Sequence, residues 1–387
     1  MDYKRLIKII SIILILTAIG VGGYYLFIWL NSNGGVSGLI SGGKTPTTEV
    51  IETGTGEVAT TTTETGADLE TQQPQTITQK LSVYINSPVF EYWLSTKDNS
   101  VYFANLDGQI IKINSDGTRR LVSSQPLNNL HEIKPSIDGS LAIAEFNYPA
   151  LPNLSIFSAS STSWQPLPSG AVSAAISPDS KKIIYTDQTT IKSLDLITQK
   201  TTEIQKISQI GLNLNWFKNG EIILNSETSI ASRGYLYALN TTNKTIKTLI
   251  DGEYGLSINW SKDGALGVKL SSIERVPKLG LIDGSAKLIA NFTFITVPEK
   301  CLIESTKIYC GVPKNIKTGI VLPDDYYKKK EYFIDDIYEL DLPSGAITKL
   351  FDGDEVAIDA SNLKIKDNAL LFINRYDSKV YSLNLTQ

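Results

Sequence analysis

One histidine, one methionine and two cysteines are all that 387 residues supply of the side chains most used for metal binding and redox work. The methionine is Met1 and the histidine is His131. That scarcity removes most metal sites and most imidazole acid–base chemistry, so no metal and no cofactor is expected. An excess of basic charge is missing too. Net charge is −4 and the pI is about 5.3, which is no footprint for a nucleic-acid partner. Neither a G-x-S-x-G nucleophile turn nor a D-x-[DN]-x-[DN]-G calcium loop occurs. What the chain does have is apolar and aromatic: 42% hydrophobic residues, with 18 Tyr, 11 Phe and 5 Trp, ample for a large core.

The apolar residues are organised by a repeat. Asn259-Trp260-Ser261-Lys262-Asp263-Gly264 is its fullest form, a tight turn between two short apolar strands. Weaker copies read Pro135-Ser136-Ile137-Asp138-Gly139, Ile176-Ser177-Pro178-Asp179-Ser180 and Trp216-Phe217-Lys218-Asn219-Gly220, with looser ones at 95–99 and 364–368. Turn positions 98, 138, 179, 219 and 263 are 40, 41, 40 and 44 residues apart. A period of that size built from short strands predicts a β-propeller. Third strands recur seven times, from Ile110-Ile111-Lys112-Ile113 to Val380-Tyr381-Ser382-Leu383, which predicts seven blades. The last blade has three strands of its own, and Leu81-Ser82-Val83-Tyr84-Ile85 stands ahead of the first. An unpaired edge is sticky. The expected fold over 80–387 is therefore an all-β, seven-bladed propeller closed by an N-terminal strand.

In the third blade, Ile176-Ser177-Pro178-Asp179-Ser180-Lys181-Lys182-Ile183-Ile184-Tyr185 is followed by Ser193-Leu194-Asp195-Leu196-Ile197-Thr198-Gln199-Lys200. These segments resemble the repeat of TolB-like and WD40-like bacterial propellers, with Ser180 and Gln199 in place of the usual glycines. The resemblance implies the fold and leaves the activity open, because propellers host many activities.

Ahead of the repeat, residues 6–30 are almost wholly apolar and carry no charge from Ile9 to Leu30. That is long enough to span a bilayer as a helix. Lys4, Arg5 and Lys8 precede the span, and the next basic residue is Lys44, so 1–5 are expected in the cytoplasm and the rest outside. The expected address is thus the cell membrane, single-pass, with an extracytoplasmic propeller. Residues 31–79, rich in Gly, Ser and Thr, read as a disordered linker. Within it Gly38-Leu39-Ile40-Ser41-Gly42-Gly43-Lys44-Thr45 matches the phosphate-loop pattern, but the strand and helix that pattern needs are not its neighbours.

Two places are singled out for function. Cys301 and Cys310 flank a hairpin whose turn lies at Ser305-Thr306, which puts them opposite one another and within disulfide reach. An oxidising compartment would keep such a bond. Between the middle and third strands of the sixth blade lies an insert, 311–336, and smaller expansions at 145–153, 225–234 and 269–277 emerge on the same side. Loops on a rigid scaffold are where binding usually lives. Asp324, Asp325, Tyr326, Tyr327, Tyr332 and Phe333 are accordingly the expected binding surface, for a protein or an envelope glycan. The acidic pairs Asp324-Asp325 and Asp335-Asp336 and the run Asp352-Gly353-Asp354-Glu355 read as solvated loop charges.

The leading expectation is a membrane-anchored propeller that binds a protein or cell-envelope ligand and catalyses nothing. The alternative is a propeller-fold hydrolase or lyase acting on envelope glycans through carboxylates in the central channel. An enzyme should show converging, pKa-shifted acids there. A binding module should show its aromatic residues on the loop face.

Overall fold

The computed structural model describes residues 68–69, 75–76, 80–147, 150–218 and 220–385. The expected span at 6–30, the phosphate-loop match and turn position Asn219 lie outside them. Among the described residues no helix is long and apolar enough to cross a membrane.

The described chain is a succession of antiparallel sheets in a propeller-like arrangement. The first sheet holds Val89–Leu94, Val101–Asn105, Ile110–Ile113 and Arg119–Ser123. The second holds Glu132–Pro135, Leu141–Phe146, Asn153–Ser158 and Ser163–Pro166. Ser173–Ile176, Lys182–Thr186, Thr190–Asp195 and Thr201–Lys206 make the third. The fourth has seven strands, and its long central strand Ile246–Trp260 is shared by a half before it and a half after it. That strand turns at Gly252 and Gly255, both at positive φ. The fifth sheet holds Cys301–Glu304, Lys307–Pro313, Asp335–Asp341 and Ile347–Phe351. In the sixth, Ala360–Lys366, Ala369–Asn374 and Lys379–Asn384 are followed in space by Leu81–Ile85, which pairs through Val380↔Ile85 and Leu383↔Leu81.

The repeat has a local cause. In the turns at Asp98, Asp138, Asp179 and Asp263 the carboxylate gathers nearby donors, and the residue after it adopts positive φ. Asp263 accepts from Ser261 Oγ at 2.7 Å and from the Ala265 amide at 3.1 Å, with Gly264 at φ 66°. Asp138 accepts from Ser136 Oγ, Ser140 and, across to the next sheet, Ser180 Oγ at 2.9 Å. Those bonds, together with Lys97, hold its carboxyl well below the usual range despite partial burial. Gly139 cannot be replaced cheaply, because a Cβ there would collide with the Leu94 carbonyl of the first sheet. Local turn chemistry therefore also docks one sheet on the next.

The core lies between sheets. Apolar side chains of each sheet meet those of its successor, as Trp93, Tyr102, Phe157 and Trp164 do between the first and second. Leu371, Ile373 and Val380 of the sixth sheet meet Val89, Tyr92 and Phe103 of the first in the same way.

Three boundaries differ from expectation. Asp68–Leu69 pairs with Arg119 and Arg120, and Gln75–Thr76 pairs with Ser82 and Val83, so sheet pairing begins within the stretch read as linker. The stretch 269–277 is no loop: strands Leu266–Ile273 and Val276–Asp283 continue to a tight hairpin at Glu274-Arg275. Pairing of Pro313 with Asp335 shortens the insert to 314–334.

Candidate functional site: the central channel and its cap

The first strand of each sheet faces the centre, and neighbouring first strands are tied together by hydrogen bonds. The Leu214 amide donates to Ser173 Oγ at 3.1 Å, Asn259 Nδ2 to the Cys301 carbonyl at 2.7 Å, and Tyr92 Oη to the Asn362 carbonyl at 2.8 Å. Charged side chains on these strands therefore converge. Glu91 comes from the first sheet, Glu132 and Lys134 from the second, and Lys364 from the sixth. Glu299 joins them from the turn Pro298–Lys300 that leads into the fifth sheet.

Glu91 is the most perturbed of these acids. Its Oε1 accepts from the Tyr92 amide at 2.8 Å and from Asn362 Nδ2. Burial, opposed by nearby Lys364 and reinforced by the negative charges of Glu299 and Glu132, pushes its carboxyl up to about 7. Lys364 donates to Asn362 Oδ1 at 2.5 Å and lies 5.3 Å from the Tyr92 ring, and burial pushes its ammonium down. Glu299 keeps solvent-accessible surface, yet the protein around it raises its carboxyl, with Glu132 and Asp359 adding repulsion. Glu145, directly across the ladder from Glu132, is also raised, first by burial. Glu91, Glu299 and Glu145 are thus each raised by burial first, and the charge of Glu132 adds to all three shifts.

In an antiparallel four-stranded sheet, the loop between the second and third strands lies on the same side as the link to the next sheet. The insert is such a loop, and it folds inward over that side of the channel. Asp324 is buried: it accepts from the Ile230 amide at 2.8 Å, from Ser229 Oγ at 3.3 Å and from Lys328 Nζ at 3.0 Å. Burial alone would raise its carboxyl, but these donors hold it below the usual value. Asp325 accepts from the Val321 amide at 2.9 Å. Tyr327 reaches Ser257 Oγ at 2.7 Å, and Pro323 lies against Gly255, where a Cβ would come within 3.2 Å of its Cδ.

The aromatic residues divide. Tyr326 and Phe333 are only 2% and 3% exposed, while Tyr327 and Tyr332 keep 40% and 39%. The expected surface platform is therefore corrected for Asp324, Tyr326 and Phe333. The rings gain more by stacking on each other at 6.3 Å and on cations than by facing water. The Arg375 guanidinium lies 3.8 Å from the Tyr326 centroid, and Lys300 Nζ lies 5.0 Å from that of Phe333.

Beneath them is a charge network in which Lys300, Asp335 and Asp359 are fully buried and Arg375 keeps 11% of its side-chain surface. Lys300 pairs with Asp335 and Asp359, each at 2.6 Å, and Arg375 pairs with Asp359 at 2.7 Å. Burial raises the Asp335 carboxyl to about 6, with Lys300 opposing. Asp359 also accepts from the Phe333 amide at 3.1 Å, and Arg375 donates to the Tyr326 carbonyl at 3.0 Å. Asp335 and Asp336 are thus not solvated loop charges. Asp336 is buried and paired with Lys349 at 2.8 Å, and only the run from Asp352 to Glu355 stays near the surface. Cys301 and Cys310 face one another in the ladder and form a disulfide with an S–S distance of 2.10 Å.

Sequence reasoning missed Glu91, Glu132, Glu299 and Lys364. The available signal was a charge on an otherwise apolar first strand, as in Val89-Phe90-Glu91-Tyr92-Trp93-Leu94.

No family model and no curated protein matches the sequence. Solved structures do match in fold. An oligogalacturonate lyase in complex with manganese superposes with a TM-score of 0.58 at 9% identity, covering 83% of this chain and 98% of that one. The oligogalacturonate lyase of Vibrio parahaemolyticus gives 0.58 at 11% identity, covering 83% and 99%. The virginiamycin B lyase of Staphylococcus aureus gives 0.50 at 13%, covering 81% and 99%. Identities this low establish the fold alone. The expectation of a module that catalyses nothing is corrected to this extent: the architecture does not argue for it, since all three of these chains are lyases. The chain has the propeller-like fold that binding modules and catalytic enzymes share.

Proposed function

We propose that this chain is a propeller-fold hydrolase or lyase acting on glycans of the cell envelope, with Glu91, Glu132 and Glu299 as its channel carboxylates. The observation that carries the reading is Glu91, held at about 7 by burial, beside Lys364 and within reach of the charges of Glu299 and Glu132. At neutral pH such a carboxyl is shared between its acid and base forms. It can give a proton to a departing glycosidic oxygen or take one from the sugar. Hydrolysis needs a second carboxylate to activate water or attack the sugar, and Glu132 and Glu299 are the candidates for it. In elimination the base takes the proton next to a uronate carboxyl, a carbon–carbon double bond forms, and the glycosidic oxygen departs and takes up a proton; Lys364 is the neighbour suited to offset the charge that forms. Tyr327, Tyr332 and Asp325, on the outer side of the insert, are proposed to contact the glycan.

The architectural reading is seven blades closed as a ring. It is supported by the division of the fourth sheet at Gly252 and Gly255 and by the pairing of Leu81–Ile85 with Lys379–Asn384. The Ser-Pro-Asp turn of the third sheet supports a TolB-like relationship. An extracytoplasmic site, with 6–30 as anchor, is supported by the Cys301–Cys310 disulfide, which an oxidising compartment preserves.

The test is to incubate the purified full chain with a panel of envelope polysaccharides and measure new reducing ends. Ultraviolet absorbance of an unsaturated sugar separates elimination from hydrolysis. Glu91→Gln is expected to cut the rate by about 100-fold or more. Silence across the panel, or a Glu91→Gln variant as active as the parent, contradicts the reading.

A further inference from the structure

We infer that residues 314–334 are a fixed cap that walls off one sector of the channel mouth, so that the site takes the end of a glycan chain and not its middle. The inference rests on the proposed glycan activity. Among the described residues, the hydrogen bonds and ion pairs that this segment makes beyond its own sheet and the loop Asp352–Asp354 that follows that sheet go to the fourth or the sixth sheet. The partners are Ser229, Ile230 and Ser257 on one side and Asp359 and Arg375 on the other. The first three sheets, which carry Glu91, Glu132 and Glu145, receive none.

The segment is anchored, not hinged. Its floor is the buried Lys300–Asp335–Asp359–Arg375 network, which binds the backbone at Tyr326 and Phe333. Its outer end is held by the Asp324 carboxylate and the Tyr327 hydroxyl. The Tyr326 hydroxyl is fully buried and has no hydrogen-bond partner, so the ring serves as filling between Arg375 and Phe333. Burial raises the Tyr326 and Tyr327 phenols, and the charge of the exposed Glu299 adds to both shifts. A polymer lying across the mouth needs free space on both sides of the channel. Here one side is walled, and a chain can reach Glu91 only by inserting an end over the first three sheets.

Two measurements decide it. Both native cysteines are joined to each other, so a single introduced thiol can be labelled selectively. In the full chain, Glu132→Cys and Ser257→Cys, whose native hydroxyl meets Tyr327, are each treated with a small maleimide and with one carrying a polyethylene glycol chain. Thiol reactivity follows access, so the bulky reagent should label the second variant about ten-fold more slowly than the first, while the small reagent labels both. Asn259→Cys, on the same strand, replaces Ser257→Cys if that variant fails to fold. Equal rates with the bulky reagent overturn the cap. In the second measurement, viscosity of the cleaved polysaccharide is followed beside reducing ends. Chain-end release leaves viscosity high while reducing ends accumulate, and an early collapse of viscosity overturns end-on binding. Absence of any cleavage defeats the proposed activity instead, and labelling alone then decides whether the wall exists.

Discussion

Replacing Lys300 by Met removes the cation at the centre of the buried network and keeps much of its apolar stem. Lys300, Asp335 and Asp359 have no exposed side-chain surface, and both ion pairs are 2.6 Å long. Breaking a buried pair from one side costs about 3–5 kcal/mol, because a charge is left without its partner. Asp359 is sheltered from that cost, since Arg375 and the Phe333 amide remain. Asp335 keeps only the Ala360 amide. Its carboxyl already stands at about 6 in place of 3.8, and Lys300 is what holds it down most. A carboxyl raised by folding supports the fold below its unfolded value and loses that support as pH rises through its folded value. In the parent the loss therefore falls between about pH 4 and pH 6. In Lys300→Met it extends to higher pH, so the penalty is largest in alkali and shrinks in acid, where Asp335 goes neutral. Guanidinium denaturation at pH 5 and pH 8, without reductant, reads this as a midpoint drop that is larger at pH 8. An equal drop at both pH values, or none, refutes the assignment of Asp335 as the strained member.

Tyr326→Phe deletes a buried hydroxyl that has no partner, and it should leave stability unchanged or raise it by about 1 kcal/mol, read as the melting temperature. A chain beginning at Pro88 lacks Leu81–Ile85 and exposes the edge of Lys379–Asn384; it should aggregate or melt well below a chain beginning at Glu64, and equal melting would remove that strand from the ring. Changing Cys301 and Cys310 together to Ala should cost about 2 kcal/mol by freeing the unfolded chain, read by denaturation beside a thiol assay of the parent that finds none free.

The parts of the fold legible in the sequence are those with local causes. Asp138, Asp179 and Asp263 each organise their own turn through a serine two residues earlier, so the repeat could be read without knowing any distant contact. The cysteine register followed from a two-residue turn for the same reason. What was not legible depended on which residues distant strands bring together. Asp335 and Asp336 are adjacent in sequence, and nothing local shows that one meets Lys300 and Asp359 while the other meets Lys349. Tyr326 and Tyr327 are neighbours too. The short helix Asp324–Tyr327 turns one ring inward onto Arg375 and leaves the other at the surface. Glu91 looked like one charge in an apolar strand, and its importance emerges only when Glu132, Glu299 and Lys364 arrive from other sheets.

Glu91, tuned by Lys364, is proposed to exchange the proton in the reaction. The direct measurement is the pH dependence of kcat/KM for the parent, Lys364→Met and Glu91→Gln on whichever glycan the panel identifies. The parent should show a limb at about pH 7, set by the Glu91 carboxyl. Loss of the neighbouring positive charge in Lys364→Met should move that limb to higher pH, and Glu91→Gln should abolish it along with most of the rate. A limb that stays in place in Lys364→Met, or survives in Glu91→Gln, would contradict the claim.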